Sequence, residues 1–148
     1  MARTSQFMAV PMIFQDSSKV LDGLEALHER QLSLETFSVV HGDAHVGNTY
    51  LSQDGAIGFL DFQVKKVPWS HDACEFIVGT LDIPARRMYE ADLLREYLRL
   101  LRKYGVDAPD FDQAWAAHRR NIFYALFKWL INIDEWQIDA INTANTAR

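Results

Sequence analysis

Cysteine is nearly missing from this chain. Cys74 stands alone among 148 residues, so no disulfide framework and no multi-cysteine zinc site can form. A buried, inert thiol is the expected state of such a residue. Long hydrophobic runs are missing too, since no stretch reaches the roughly 18 uninterrupted apolar residues of a membrane span. The longest candidate, Ile122–Ile133, is broken by Lys128 and Asn132. The apolar run Phe7–Phe14 follows Arg3 but is split by Pro11 and lacks a small-residue cleavage site, so it does not read as a secretory signal. There is no Asn-x-Ser/Thr sequon. These absences predict a cytoplasmic protein with no membrane partner. Basic excess is absent as well: 15 Lys and Arg against 20 Asp and Glu give a formal charge of −5, which argues against a nucleic-acid partner.

What is present suits one globular core. Hydrophobic residues make up 49% and charged residues 24%, close to the globular average. No repeat, low-complexity tract or Ser/Gly linker marks a boundary, so residues 1–148 read as a single domain. Residues 1–16 are ambiguous between a strand and part of a helix. Ser17-Ser18 is a plausible N-cap for a helix to about Gln31, with Val20, Leu21, Leu24 and Leu27 on one side. Phe37–Val40 reads as a short strand. Asn48–Ser52 and Ala56–Phe62 read as two more, joined by the turn residues Gln53-Asp54-Gly55.

After Pro68 the pattern becomes helical. Helices are expected over Ser70–Leu81, from about Pro84 to Tyr104, and from Pro109-Asp110 to about Trp136. In the second, Leu94, Tyr97, Leu98, Leu101 and Tyr104 form a stripe at helical period, and Gly105 follows as a C′ residue. In the third, Ile122–Phe127 is apolar on nearly all sides, as in a central helix. The expected fold class is α+β, mainly α-helical, with a small β-hairpin.

The densest group of chemically capable residues is His41-Gly42-Asp43-Ala44-His45-Val46-Gly47-Asn48, on the loop between two predicted strands. A hairpin running from Asn48 to Asp61 returns its second end toward its first. Asn48 and Asp61 should therefore lie close, with Asp43 one loop away. Hard oxygen donors of this kind suit Mg²⁺ together with phosphate oxygens. The Asp-x₄-Asn spacing, with a metal-binding Asp on a following strand, is that of phosphoryl-transfer loops.

The segment His41–Asn48 followed by Leu60-Asp61-Phe62 resembles the catalytic core of the aminoglycoside phosphotransferase/choline kinase superfamily, which has a protein-kinase-like fold. The continuation through Gln63, Asp72 and Phe76-Ile77, with Arg86-Arg87 and Leu93–Leu101 behind, is most similar to its ecdysteroid-kinase-like (CHK kinase-like) branch. The similarity covers roughly residues 35–105. It implies ATP-dependent phosphorylation of a hydroxyl on a small molecule, with Asp43 as catalytic base. Asn48 and Asp61 would bind Mg²⁺ and the nucleotide phosphates. His41 and His45 would shape the loop, and Asp72 would brace it. The N-terminal lobe of such enzymes has no counterpart here, because Lys19 is the only lysine and Gly23 the only glycine ahead of Gly42. The chain thus resembles a C-terminal lobe alone. Such a lobe would expose an apolar cleft wall and favour self-association.

Other readings stay open. A lone lobe could be a non-catalytic binding module. His41, Asp43 and His45 could be the ligands of a metal-dependent hydrolase. Gly42-x₄-Gly47-Asn48-Thr49 nearly spells a phosphate-binding loop, but Asn replaces its lysine and no helix follows. His28, His71 and His118 read as ordinary surface or interface histidines. Arg86-Arg87, Arg95, Arg99, Arg102 and Lys103 read as a solvated helix face. Phe123, Tyr124, Phe127, Trp129 and Trp136 read as core rather than pocket lining. Asp134, Glu135 and Asp139 read as an exposed acidic helix end.

Overall fold

The structure, a computed structural model, describes residues 11–34 and 36–131. It is mixed α+β and mainly helical, with two separate antiparallel pairs of strands. The expectations for Trp136, Asp134, Glu135 and Asp139, and for the Trp129 side chain, lie outside the described residues.

A 3-10 turn, Met12–Phe14, precedes α1 (Ser17–Leu34). The cap of α1 is Asp16 rather than the expected Ser17-Ser18. Its carboxylate accepts from Ser18 N at 3.1 Å and Ser18 Oγ at 2.7 Å, taking up one of the donors a helix start leaves open. Val20 and Leu27 are buried while Leu21 is exposed, so the inner face continues to Gln31. There the buried Gln31 Nε2 donates to Asn121 Oδ1 at 2.9 Å.

The chain then forms β1 (Phe37–Val40), β2 (Thr49–Leu51), β3 (Ile57–Phe59) and β4 (Lys65–Pro68). The hairpin of β2 and β3 places Thr49 opposite Phe59, and Gly55 takes φ 84° in its turn. β1 pairs with β4, Phe37 opposite Pro68 and Val40 opposite Lys65. β4 carries no strand signature in sequence, because two lysines and a proline have little strand propensity. Such residues suit the edge of a small sheet.

Three helices follow: α2 (Ser70–Thr80), α3 (Ile83–Lys103) and α4 (Phe111–Ile131). Their ends obey local chemistry. Asp82 caps α3 by accepting from Ala85 N at 2.8 Å. At its other end Gly105, with φ 82°, donates to Arg102 O, and Val106 donates to Leu101 O, the reciprocal pair of a Schellman motif. α4 opens on a capping box, in which Gln113 N donates to Asp110 Oδ1 at 2.8 Å and Gln113 Oε1 accepts from Asp110 N at 3.4 Å.

Leu94, Leu98 and Ala114 form the core, with Trp69, Tyr97, Leu101, Phe111 and Trp115 packed around it. α4 touches α1, α2 and α3, as a central helix should. α2 is enclosed nearly as fully, and it buries Cys74, Ile77 and Val78 together with Ser70, His71 and Glu75. Two sequence expectations fail here. His71 and His118 are buried, at 6% and 1% exposure, because α2 and α4 pack on each other along these positions. Arg86 is buried rather than solvated, with its Nε 3.9 Å from Glu90 one turn on. Among the described residues no helix is long and apolar enough to cross a membrane.

Leu98 is 1% exposed at the centre of this packing. Leu98→Ala should therefore lower the unfolding free energy by about 2–5 kcal/mol in denaturant melts.

Candidate functional site

β1 delivers the chain to His41, and the loop that follows is held from three directions. Gly42 adopts φ 86°, and a Cβ there would collide with the Gln63 carbonyl oxygen, so both conformation and space demand glycine. The two amides that this turn exposes point at one acceptor. Asp72, in the first turn of α2, accepts from His41 N at 2.6 Å and from Gly42 N at 3.1 Å. Lys65 Nζ from β4 donates to Gly42 O at 2.9 Å.

His41 ties the loop to the hairpin. Its Nδ1 accepts from Asp43 N at 3.3 Å, so Nε2 carries the proton and donates to Leu60 O at 2.9 Å. The ring packs on Phe62 with centroids 4.3 Å apart. His45 opens the 3-10 turn Val46–Asn48, where its Nδ1 accepts from Gly47 N at 3.1 Å.

The turn carries Asn48 back toward Asp43. Asn48 Nδ2 donates to Asp43 O and to Asp43 Oδ2, both at 3.0 Å. Gln63 Nε2 at 3.4 Å and His45 Nε2 at 3.5 Å also stand near that oxygen. Across the hairpin, Leu60 N donates to Asn48 O at 3.0 Å, which brings Asp61 to within one residue of the Asn48 pairing position. Asp61 adopts φ 58°, a left-handed conformation uncommon outside glycine. It lies on the surface. The expected strand Ala56–Phe62 therefore ends at Phe59, and Asp61 sits on the bend beyond it.

One partner of Asp43 comes from far along the chain. Lys128 Nζ, on α4, donates to both Asp43 Oδ1 and Glu75 Oε1. Burial acts to raise the Asp43 carboxyl, yet the Lys128 ammonium, with His45 and Asn48, holds it below the ordinary carboxylate value. Glu75 lies deeper, and there burial prevails over Lys128 and pushes its carboxyl up. For Lys128 burial acts downward, but the two carboxylates win and raise it. Lys128, Glu75, Gln63 and Lys65 were not among the residues expected here. The one signal for Lys128 was a lone charge interrupting the apolar stretch Ile122–Ile133.

The donor sets differ in what they could hold. His41 has both ring nitrogens engaged, one by the Asp43 amide and one by the Leu60 carbonyl, which leaves the His41, Asp43 and His45 zinc set without its first ligand. Among the described residues no group of three His, Cys, Asp or Glu side chains stands together as a metal cage. Asn48 and Asp61 offer an amide and a surface carboxylate, a set that fits a cation held mostly by water and phosphate oxygens. Beside the loop, under His41 and Asp72, lies a cavity of about 680 Å³ walled chiefly by Phe59, Phe62, Phe76, Ile77, Leu93 and Tyr97. Asp43 is not on its wall.

No family model matches the chain, and no curated protein or solved structure matches it either.

Two expectations follow. Gly42→Ala forces a Cβ against the Gln63 carbonyl and should loosen the loop. We expect a loss of about 1–3 kcal/mol in thermal melts and faster amide exchange at His41 and Gly42. His71 packs at a tilt against Tyr124, with ring centroids 4.1 Å apart, and is held neutral by burial, its pKa lowered from 6.5 to about 4. The unfolded chain takes up a proton below 6.5 that the native chain refuses, so stability should fall as pH drops from 6.5 toward about 4. The full drop amounts to about 3 kcal/mol, and His71→Phe should flatten that stretch of the stability curve.

Proposed function

We propose that this chain carries the catalytic lobe of an ATP-dependent phosphotransferase acting on a hydroxyl of a small molecule. The observation behind it is Asp43 held ionised on a braced loop, with Asn48 bonded to it and Asp61 across the hairpin end. In this reading Asp43 accepts the proton of the acceptor hydroxyl as the hydroxyl oxygen bonds to the terminal phosphorus. The bond from that phosphorus to the bridging oxygen breaks, and its electron pair leaves with the nucleoside diphosphate. Asn48 and Asp61 would hold a Mg²⁺, which when bound neutralises charge developing on the phosphates. His41, His45 and Asp72 act on the loop rather than on the substrate.

The exposed apolar residues of the hairpin, Leu51 and Ile57 among them, are where two copies of the chain would meet if it self-associates. A second reading, a binding module without turnover, draws on the apolar cavity beside the loop, whose wall does not include the base.

Asp61→Ala should abolish Mg²⁺-dependent nucleotide binding measured by calorimetry. Asp43→Asn should keep that binding and lower turnover by roughly 10²- to 10⁴-fold. Equal Mg²⁺·ATP affinity in wild type and Asp61→Ala would overturn the assignment. Nucleotide-independent binding of apolar ligands without turnover would favour the second reading.

A further inference from the structure

α2 enters the site with two carboxylates one turn apart on the same face. Asp72 holds the backbone of the loop through His41 N and Gly42 N. Glu75 is 5% exposed and accepts from the Lys128 ammonium. Lys128 in turn donates to Asp43 Oδ1, across 85 residues of sequence. One helix therefore grips the loop's main chain directly and its central side chain through an intermediary.

The two oxygens of Asp43 are served from different elements. Oδ2 faces Asn48, Gln63 and His45, all on the loop or the segment beside it. Oδ1 takes its hydrogen bond from Lys128 on α4. A carboxylate with donors on both oxygens has a defined plane, whereas one held at a single oxygen turns about its broad terminal torsion. Each oxygen accepts more than one hydrogen bond, so this arrangement still leaves a lone pair for an acceptor hydroxyl.

The ammonium is itself held. Lys128 has a side chain 22% exposed, between Asp43 at 15% and Glu75 at 6%. A lysine serving only solubility would extend into water. This one is drawn inward, and a buried glutamate keeps it there.

We propose that Lys128 is a positioning residue for phosphoryl transfer, anchored by Glu75 and fixing the plane of the Asp43 carboxylate so that it meets the acceptor hydroxyl. The proposal rests on reading Asp43 as the base. Lys128 touches neither nucleotide nor acceptor in this role and acts through Asp43 alone.

The test uses the full chain with Lys128→Met, Lys128→Arg, Lys128→Ala, Glu75→Gln and Asp43→Asn. Lys128→Met should lower kcat by roughly 10- to 100-fold, with KM for Mg²⁺·ATP changed by no more than about twofold. Lys128→Arg should recover most of that loss, and Glu75→Gln should fall between the two. In Lys128→Ala, added methylammonium should restore turnover while tetramethylammonium, which has no N–H, should not. A second measurement needs no activity: thermal unfolding of Asp43→Asn, Lys128→Met and the double variant. The two losses should be non-additive, since each removes the same contact. With wild-type turnover present, an unchanged kcat, a loss confined to KM, or additive thermal losses would overturn this proposal alone. Absence of phosphotransfer in the wild type, across Mg²⁺·ATP and a panel of hydroxylated acceptors, would overturn both this proposal and the reading beneath it.

Discussion

The carboxylate of Asp72 on the amides of His41 and Gly42 is the constraint on which this architecture depends. Gly42 turns through a left-handed conformation against the Gln63 carbonyl, and that turn takes two successive amides out of strand pairing. Buried amides without acceptors are costly. One carboxylate satisfies both, and it stands in the first turn of a helix that the rest of the fold encloses. The loop therefore inherits the rigidity of the helical core rather than that of the small sheets beside it. Everything downstream is set from there: the direction in which Asp43 leaves the chain, the return of Asn48 to meet it, and the docking of His41 on the hairpin end.

The electrostatics of the site follow from how few cations reach it. Lys65 is engaged with the Gly42 carbonyl, so Lys128 serves two carboxylates at once. The shallower of the two, Asp43, is held below its ordinary range and the deeper, Glu75, above it. Depth decides the difference, because desolvation penalises the more buried charge while the shared ammonium attracts both. With Asp61 and Asp72 added, the region keeps an excess of acidic groups. In the proposed reading, that excess is what a Mg²⁺ with phosphate oxygens would offset.

Much of the fold was legible in local sequence. The two ends of α3 and the start of α4 follow from Asp82, Gly105 and Asp110 with Gln113, each using only neighbouring residues. The hairpin of β2 and β3 follows from its turn residues, and the stripe of Leu94 and Leu98 marks the face that became the core. Of the candidate site, the loop His41–Asn48 and the return of Asp61 were visible as spacing. The pairing of β1 with β4 was not, because it joins segments separated by the whole hairpin and one of them has no strand signature. Arg86 and His118 were misjudged for a related reason. His118 is met by Glu90 from the neighbouring helix α3, while Arg86 is buried beside Glu90 one turn along its own helix, and neither burial is written in the adjacent residues.

The sequence by itself determined where the described helices lie, to within a few residues, and which short loop gathers the reactive groups. Those outcomes depend on interactions over a few residues: caps, turn conformations and hydrophobic period. Only the tertiary structure decided what surrounds Asp43. Lys128 and Glu75 stand far from the loop in the chain, one inside an apolar stretch and one in a short helix. Lys128 meets Asp43, and Glu75 meets Lys128, because α4 packs on α2 and α2 grips the loop. A buried charge is tolerated where its counter-charge arrives, and that arrival is a property of packing.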